Sequence, residues 1–266
     1  MVNKQAGSLK SRDLAPILQR LRRTNEAVAN AFPGETGDRQ PVHTVYGGAH
    51  LFKSDTAPRL GALALVALKQ YAPDPDTLAR ALGLDAGVDA AIVHSRVLEK
   101  LQREPVEDFR IDFEDGYGNR PDNEEDGHAR SAAGEVAAGQ ASRTLPPFIG
   151  IRIKPMSHEL HTRSLRTLDI FVTTLVRATK GTLPSHFVIT VPKLMAPGQV
   201  TAVAATCTAL EKRLKMKAGA LKLELMIETP QSILAPDGTS ALRGLIAAGE
   251  GRVNGAHFGT YDYTAL

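Results

Sequence analysis

LKLELMIE, the eight residues from Leu221 to Glu228, alternates branched apolar side chains with mostly charged ones. Two other segments repeat the pattern: FRIDFE from Phe109 to Glu114, and IGIRIK from Ile149 to Lys154. Side chains of a β-strand point alternately to its two faces, so each segment is predicted to form a strand with one apolar and one charged face. We expect the apolar faces to meet helices and the charged faces to point into the interior of a barrel.

Runs of β type and runs of helical type alternate along the chain from about residue 40. The β-type runs are Val42–Tyr46, Phe109–Phe113, Phe148–Ile153, Phe187–Val191, Leu221–Ile227 and Val253–Phe258. The helix-like runs are Ala57–Tyr71, Val88–Leu101, Glu124–Ala138, Glu159–Thr179, Gln199–Leu214 and Ser240–Ala248. A βαβα order predicts a parallel sheet covered by helices. The expected fold class is therefore α/β, of the TIM-type (β/α) barrel kind.

Two domains are predicted. Residues 1–39 form a leader with helical spacing from Asp13 to Phe32. Residues 40–266 form the barrel domain. A complete barrel of this type has eight strands, whereas about six are found and the sequence ends soon after the sixth, so we expect an incomplete barrel. Open strand edges favour pairing with another chain, which predicts a homo-oligomer.

Composition narrows the class of protein. The 32 basic and 29 acidic residues give a net charge of +3, and no dense basic patch points to nucleic acid. The longest apolar run, residues 61–68, is far shorter than the roughly 20 residues that a membrane-spanning helix needs. The lone Cys207 cannot form an internal disulfide. We therefore expect a cytoplasmic protein that binds neither nucleic acid nor membranes.

Two acids suggest a metal site. Glu228 ends one predicted strand and Asp262 follows the next, so both are expected at the same edge of the sheet. Two carboxylates with water and substrate oxygens suit Mg²⁺. In the alternative interpretation, each acid caps a helix or pairs with a lysine. Arg152 could bind a substrate carboxylate in a forked geometry, or it could pair with Glu114 or Asp115 inside an ionic interior that has no catalytic role.

Five motifs resemble those of the HpcH/HpaI aldolase/citrate lyase superfamily, in the order and at the spacing of that family. They are RIDFEDG from Arg110, IRI from Ile151, VPKL from Val191, LMIETP from Leu225 and FGTYDY from Phe258. The resemblance spans residues 108–263. It implies a barrel of the phosphoenolpyruvate/pyruvate-domain type, like those of citrate lyase beta chains and malate synthases.

The resemblance also implies an activity and roles for individual residues. The implied activity is that of a carbon–carbon lyase or aldolase that uses Mg²⁺, or Mn²⁺, and forms an enolate of a small carboxylic acid or an acyl-CoA. The implied metal ligands are Glu228 and Asp262. The implied catalytic residues are Arg152, Glu114, Asp115 and, by position only, His43. The implied substrate-binding residues are Gly259, Thr260 and Lys193.

Two other functions fit the sequence. A malate-synthase-like acyltransferase would use the same metal and the same enolate chemistry. A truncated barrel fragment, weak or inactive as a catalyst, would retain only metal or partner binding. The family pattern continues beyond the strand that precedes Asp262, and this part of the pattern is lacking here, which is what keeps the second alternative open.

Overall fold

The computed structural model describes residues 8–34 and 37–265. The chain divides into two units, residues 1–40 and residues 41–266. The described part of the first unit contains the helix α1, Ser11–Ala31, which has no buried residue. The helix predicted between Asp13 and Phe32 is therefore present, and Leu18 and Leu21 on its apolar side are about half exposed.

The second unit alternates strands and helices as predicted. Its strands are β1 (Thr44–Gly48), β2 (Asp108–Asp112), β3 (Phe148–Arg152), β4 (Phe187–Val191), β5 (Lys222–Ile227) and β6 (Val253–Phe258). Its helices are α2 (Thr56–Tyr71), α3 (Pro75–Leu82), α4 (Ala90–Arg103), α5 (Asp122–Ser142), α6 (His161–Ala178), α7 (Pro197–Leu214), α8 (Pro230–Ile233), α9 (Leu242–Ala248) and α10 (Thr260–Ala265).

The six strands form one parallel sheet in the order β1-β2-β3-β4-β5-β6. The predicted parallel α/β sheet is confirmed, whereas a closed barrel is not shown. Within the described residues, β1 and β6 each pair with one strand. The Tyr46 hydroxyl on β1 nevertheless lies 2.8 Å from His257 Nδ1 on β6. The sheet is therefore curved far enough for side chains of its two outer strands to meet.

The apolar face of the sheet lies against the helices. Ile111, Ile151 and Leu223 are fully buried and belong to one hydrophobic core with Phe171 of α6 and Val203 of α7. Burying each such side chain stabilises the fold by about 1.5–3 kcal/mol. Contact of this face with the helices explains why every second side chain along β2, β3 and β5 is apolar.

The charged face points into the concave interior. Arg110 on β2 ion-pairs with Glu224 on β5, with 3.1 Å between Nη2 and Oε1, although β3 and β4 separate the two strands. Arg110 also ion-pairs with Asp108 and donates a hydrogen bond to Thr190. The predicted placement of charge in the interior is confirmed. The charged side chains in this deep part of the interior form ion pairs with one another.

No helix in the described ranges combines the length and the apolar composition needed to cross a bilayer. The expected cytoplasmic location and homo-oligomeric state stay predictions.

Candidate functional site

Arg152 is held in place by Asp112 of the neighbouring strand. Asp112 and Arg152 are register partners at the carboxyl ends of β2 and β3. Arg152 Nε and Nη2 donate to the two carboxylate oxygens of Asp112, at 2.7 and 2.6 Å. This forked pair is buried, and geometry of this kind is the strongest that an arginine makes with a carboxylate. It leaves Nη1 of Arg152 facing the end of the sheet.

Asp112 also shapes the loop that carries the predicted acids. Its carboxylate accepts the backbone N–H groups of Glu114 and Gly116, at 2.9 and 2.7 Å. Glu114 Oε2 then lies 3.0 Å from Arg152 Nη1, and Asp115 Oδ2 lies 3.8 Å from the same nitrogen. Burial raises the pKa of Glu114 against the opposing effect of its cationic neighbours. The predicted trio of Arg152, Glu114 and Asp115 is therefore close together.

Lys193 joins this trio to the predicted metal ligands. Its ammonium group contacts Glu114 and lies 3.0 Å from Asp115 Oδ2 and 3.2 Å from Asp262 Oδ2. Burial alone would lower the pKa of Lys193, but the hydrogen bond and the charge of Glu114 outweigh it and the pKa is raised. The residue predicted to bind substrate thus binds carboxylates of the protein itself.

Glu228 and Asp262 come together at the carboxyl ends of β5 and β6. Glu228 is 1% exposed, and its Oε1 accepts the backbone N–H of Lys193 at 2.6 Å. Burial, together with the hydrogen bond and the negative charge of Asp262, raises the pKa of Glu228 to about 7. The two carboxylates predicted to bind metal are neighbours, in a setting that disfavours two negative charges at once.

The donor set suits a hard cation. Both Glu228 and Asp262 offer oxygen, and Mg²⁺ is commonly held by one or two carboxylates together with water and substrate. The described residues contain no group of three or more His, Cys, Asp or Glu side chains arranged for a metal. The two carboxylates of Glu228 and Asp262 are too few for an ion that needs an all-protein cage.

The loop after β6 differs from the prediction. The backbone N–H of Gly259 donates to Ile227 O at 3.0 Å, so it is engaged with β5 and cannot bind a substrate carboxylate. Thr260 is the first residue of α10, the short helix that contains Asp262. Gly259 has a packing role, since a Cβ atom there would lie 2.6 Å from Glu228 Cβ.

His43, which was predicted as a catalytic residue by position only, does not lie with the other predicted residues. His43 precedes β1, and its Nε2 accepts the backbone N–H of Glu107 at 3.3 Å, at the amino end of the sheet. The five residues of β1 separate it from the carboxyl end by roughly 15 Å. His43 lies at the end of the sheet opposite to the acids.

Tyr46 and His257 were not predicted as part of the site. The guanidinium of Arg152 lies over the Tyr46 ring, 4.7 Å from its centroid, and the Tyr46 hydroxyl bonds to His257. Burial and the charge of Glu224 raise the pKa of Tyr46. Alternation along β1 and β6 is the signal in the sequence that indicates inward-facing side chains at these two positions.

A second aromatic group lies at the same end of the sheet. The Tyr117 hydroxyl bonds to His128 Nδ1 at 2.8 Å, and the His50 ring lies 5.6 Å from the Tyr117 ring. Burial lowers the pKa of His50. The sequence places Tyr117 next to the RIDFEDG motif but gives no sign of its contact with His128, since that contact joins a loop to the side of α5.

Comparison with known proteins gives a family and structural matches. No curated protein sequence matches the chain. The crystal structure of a citrate lyase from Burkholderia xenovorans LB400 is 21% identical, with a TM-score of 0.45, over 68% of this chain and 48% of that one. This chain thus spans about half the length of that citrate lyase. The family model described as "Domain of unknown function (DUF6986)" matches residues 21–266, and the chain therefore belongs to that family.

Proposed function

We propose that this protein is a Mg²⁺-dependent carbon–carbon lyase or aldolase that acts through the enolate of a small oxo- or hydroxy-acid or of its CoA thioester, with Mn²⁺ as an alternative ion. One observation carries the proposal: an excess of carboxyl groups over cationic side chains at the carboxyl end of the sheet. Five carboxylates lie together there, those of Asp112, Glu114, Asp115, Glu228 and Asp262. In the described part of the chain, Arg152 and Lys193 supply their ion pairs.

An excess of carboxyl groups of this kind favours a bound cation, which replaces their protons. Asp112 is neutralised by its forked pair with Arg152, and Lys193 is shared among Glu114, Asp115 and Asp262. Glu228 has no side-chain cation of its own among the contacts described, since its partner at Lys193 is the backbone N–H. Buried carboxylates in this position are costly unless they are paired or bind a metal. Glu228 and Asp262 would hold the ion.

The chain's own residues supply the rest of the chemistry. A bound divalent ion acts as a Lewis acid that stabilises a negatively charged oxygen. Outside its forked pair with Asp112, Arg152 keeps Nη1, which ion-pairs with Glu114 at 3.0 Å, and a fixed guanidinium stabilises an oxyanion that develops beside it. Tyr46 packs against the Arg152 guanidinium and holds it at this angle.

Binding of the ion is tested by thermal melting. We expect millimolar Mg²⁺ or Mn²⁺ to raise the melting temperature of the wild type, because a ligand that binds only the folded state stabilises it. Glu228→Gln should lose this response. Glu99→Gln is the control, since the Glu99 side chain is 66% exposed on α4 and the variant should respond as the wild type does. A wild type that melts at the same temperature with and without either ion would contradict the proposed metal.

Catalysis is tested by proton exchange in deuterated water. We expect the enzyme with Mg²⁺ to exchange the methyl protons of pyruvate or of acetyl-CoA, followed by NMR, and Glu228→Gln to slow the exchange at least about 100-fold. Exchange of pyruvate indicates an aldolase, and exchange of acetyl-CoA alone indicates the acyltransferase alternative. No exchange of either compound above the enzyme-free rate would contradict an enolate-forming function.

A further inference from the structure

Lys193 has an unusual backbone conformation that Glu228 holds in place. It follows β4, and its φ angle is +49°, in the left-handed region that a residue with a side chain adopts at an energetic penalty. The backbone N–H donates to Glu228 Oε1 at 2.6 Å. This contact fixes the base of the side chain directly beside one of the two proposed metal ligands.

The side chain extends from this point to the other proposed ligand. Its ammonium lies 3.2 Å from Asp262 Oδ2 and 3.0 Å from Asp115 Oδ2, and it also contacts Glu114. A cation bound between Glu228 and Asp262 would lie next to this ammonium. Two positive charges at such a distance repel each other, and both need the same Asp262 oxygens.

Arg152 and Lys193 differ in how easily their charged groups can move out of the site. The guanidinium of Arg152 is buried, is held by two hydrogen bonds to Asp112 and lies against the Tyr46 ring. The Lys193 side chain is 33% exposed, and a lysine carries its charge on a flexible four-carbon stem. Of these two cations, Lys193 is the one that can move into solvent without opening the sheet.

We propose that the Lys193 ammonium is an internal counter-ion that fills the acidic site when the divalent cation is absent and is displaced from Asp262 when the cation binds. The inference rests on the proposed function, because it concerns the same two metal ligands. It makes metal affinity the net result of two competing cations. It also makes the position of Lys193 a signal of whether the site is loaded.

The first experiment measures metal affinity by isothermal titration calorimetry. Lys193→Met keeps an unbranched side chain that is one atom shorter, and removes its charge. We expect Mg²⁺ and Mn²⁺ to bind this variant at least about tenfold more tightly than they bind the wild type, because the competing charge is gone. Lys215→Met is the matched control: Lys215 also has a positive φ, +55°, and is exposed outside the site, so its loss should leave affinity unchanged.

The outcomes separate this inference from the proposed function. Wild type that binds the ions, with Lys193→Met binding equally or more weakly, overturns the counter-ion and leaves the metal site standing. No binding by either protein overturns both. Binding by Lys193→Met alone supports the counter-ion and contradicts the Mg²⁺-dependent function, because lysine then keeps the ion out of the wild-type site.

A second experiment uses the wild type and so does not depend on how the variant folds. Exposed lysines are methylated with formaldehyde and a borohydride reagent, and the rate at each lysine is followed by mass spectrometry with and without Mg²⁺. We expect Mg²⁺ to speed methylation of Lys193 several-fold while the rate at Lys215 stays the same. A Lys193 rate that is unchanged or lower with bound Mg²⁺ would overturn the displacement.

Discussion

Gly259 lies so close to Glu228 that one added methyl group tests the packing of the site. A Cβ atom at residue 259 would lie 2.6 Å from Glu228 Cβ and 2.7 Å from its Oε2. Gly259→Ala should therefore shift the Glu228 carboxylate, destabilise the protein by about 1–3 kcal/mol and weaken the response of the melting temperature to Mg²⁺. Urea unfolding and melting curves with and without the ion measure the two effects.

Gly255 provides a control on β6, the strand that precedes Gly259. A Cβ atom there would lie 3.7 Å from Glu224 Oε1, an ordinary contact distance. Gly255→Ala should change stability by no more than about 0.5 kcal/mol and should leave the response to Mg²⁺ intact. Equal losses of stability in the two variants would show that this part of the chain is sensitive to any added methyl group. The short distance between residue 259 and Glu228 would then have no special importance.

Individual contacts of the site were predictable only in part. The spacing of Glu228 and Asp262 predicts that they are neighbours, because the ends of adjacent parallel strands meet at one edge. The contacts of Lys193 depend on a long flexible side chain and on a positive φ, which the sequence does not reveal. The placement of His43 could have been excluded from the sequence: it is the second residue of the predicted strand Val42–Tyr46 and so lies at the amino end, whereas the acids lie at the carboxyl ends of their strands.

Asp126 of α5 links two helices that support the sheet from outside. Its carboxylate accepts hydrogen bonds from Arg163 and Arg166 of α6, with 2.6 Å between Oδ1 and Arg163 Nη2. The hydrogen bond from Arg166, aided by Arg163 and opposed by burial, lowers the pKa of Asp126 to about 2. A carboxylate with a lowered pKa stabilises the fold above its unfolded pKa of about 3.9 and loses that contribution as the pH falls.

Asp126→Asn should therefore cost stability at neutral pH and not in acid. We expect a loss of about 1–3 kcal/mol at pH 7 in urea unfolding, and a difference from the wild type that narrows from about pH 4 towards pH 2. Asp122→Asn is the control, because the Asp122 side chain is 79% exposed and lies 3.5 Å from Arg163. A difference between wild type and Asp126→Asn that stays constant down to pH 2 would contradict this role of the charge.

Strands and long helices were predictable because their patterns repeat. Each strand begins and ends within two residues of its predicted bounds. In β2, β3 and β5 the alternation of apolar and charged side chains marks both faces at once, and β4 is a short apolar run. The helices α8 and α10 were missed because four and six residues are too few to show a helical period. That omission matters for function, since α10 carries Asp262 and sets its approach to Glu228.

Curvature is the property of the whole sheet that brings the site together. Arg110 and Glu224 meet although two strands lie between theirs, and Tyr46 meets His257 although β1 and β6 are the outer strands of the described sheet. Alternating patterns predict which side chains face inward, but they contain no measure of how strongly the sheet bends. The sequence therefore predicted a parallel sheet correctly and could not establish whether a barrel closes.

The Tyr46–His257 hydrogen bond should hold β6 against the rest of the sheet. Tyr46→Phe keeps the ring beneath Arg152 and removes only the hydroxyl, at a cost of about 1 kcal/mol. We expect faster amide hydrogen exchange in β6, where alternate residues are exposed, and unchanged exchange in the buried strand β4. Tyr71→Phe on α2, where the tyrosine is 71% exposed, should alter the exchange of neither strand.

If β4 and β6 lose protection equally in Tyr46→Phe, the hydroxyl stabilises the whole sheet and β6 has no separate attachment. If exchange changes in neither strand, the curvature is set by the apolar core between the sheet and the helices. The contact between Tyr46 and His257 is then a consequence of that curvature.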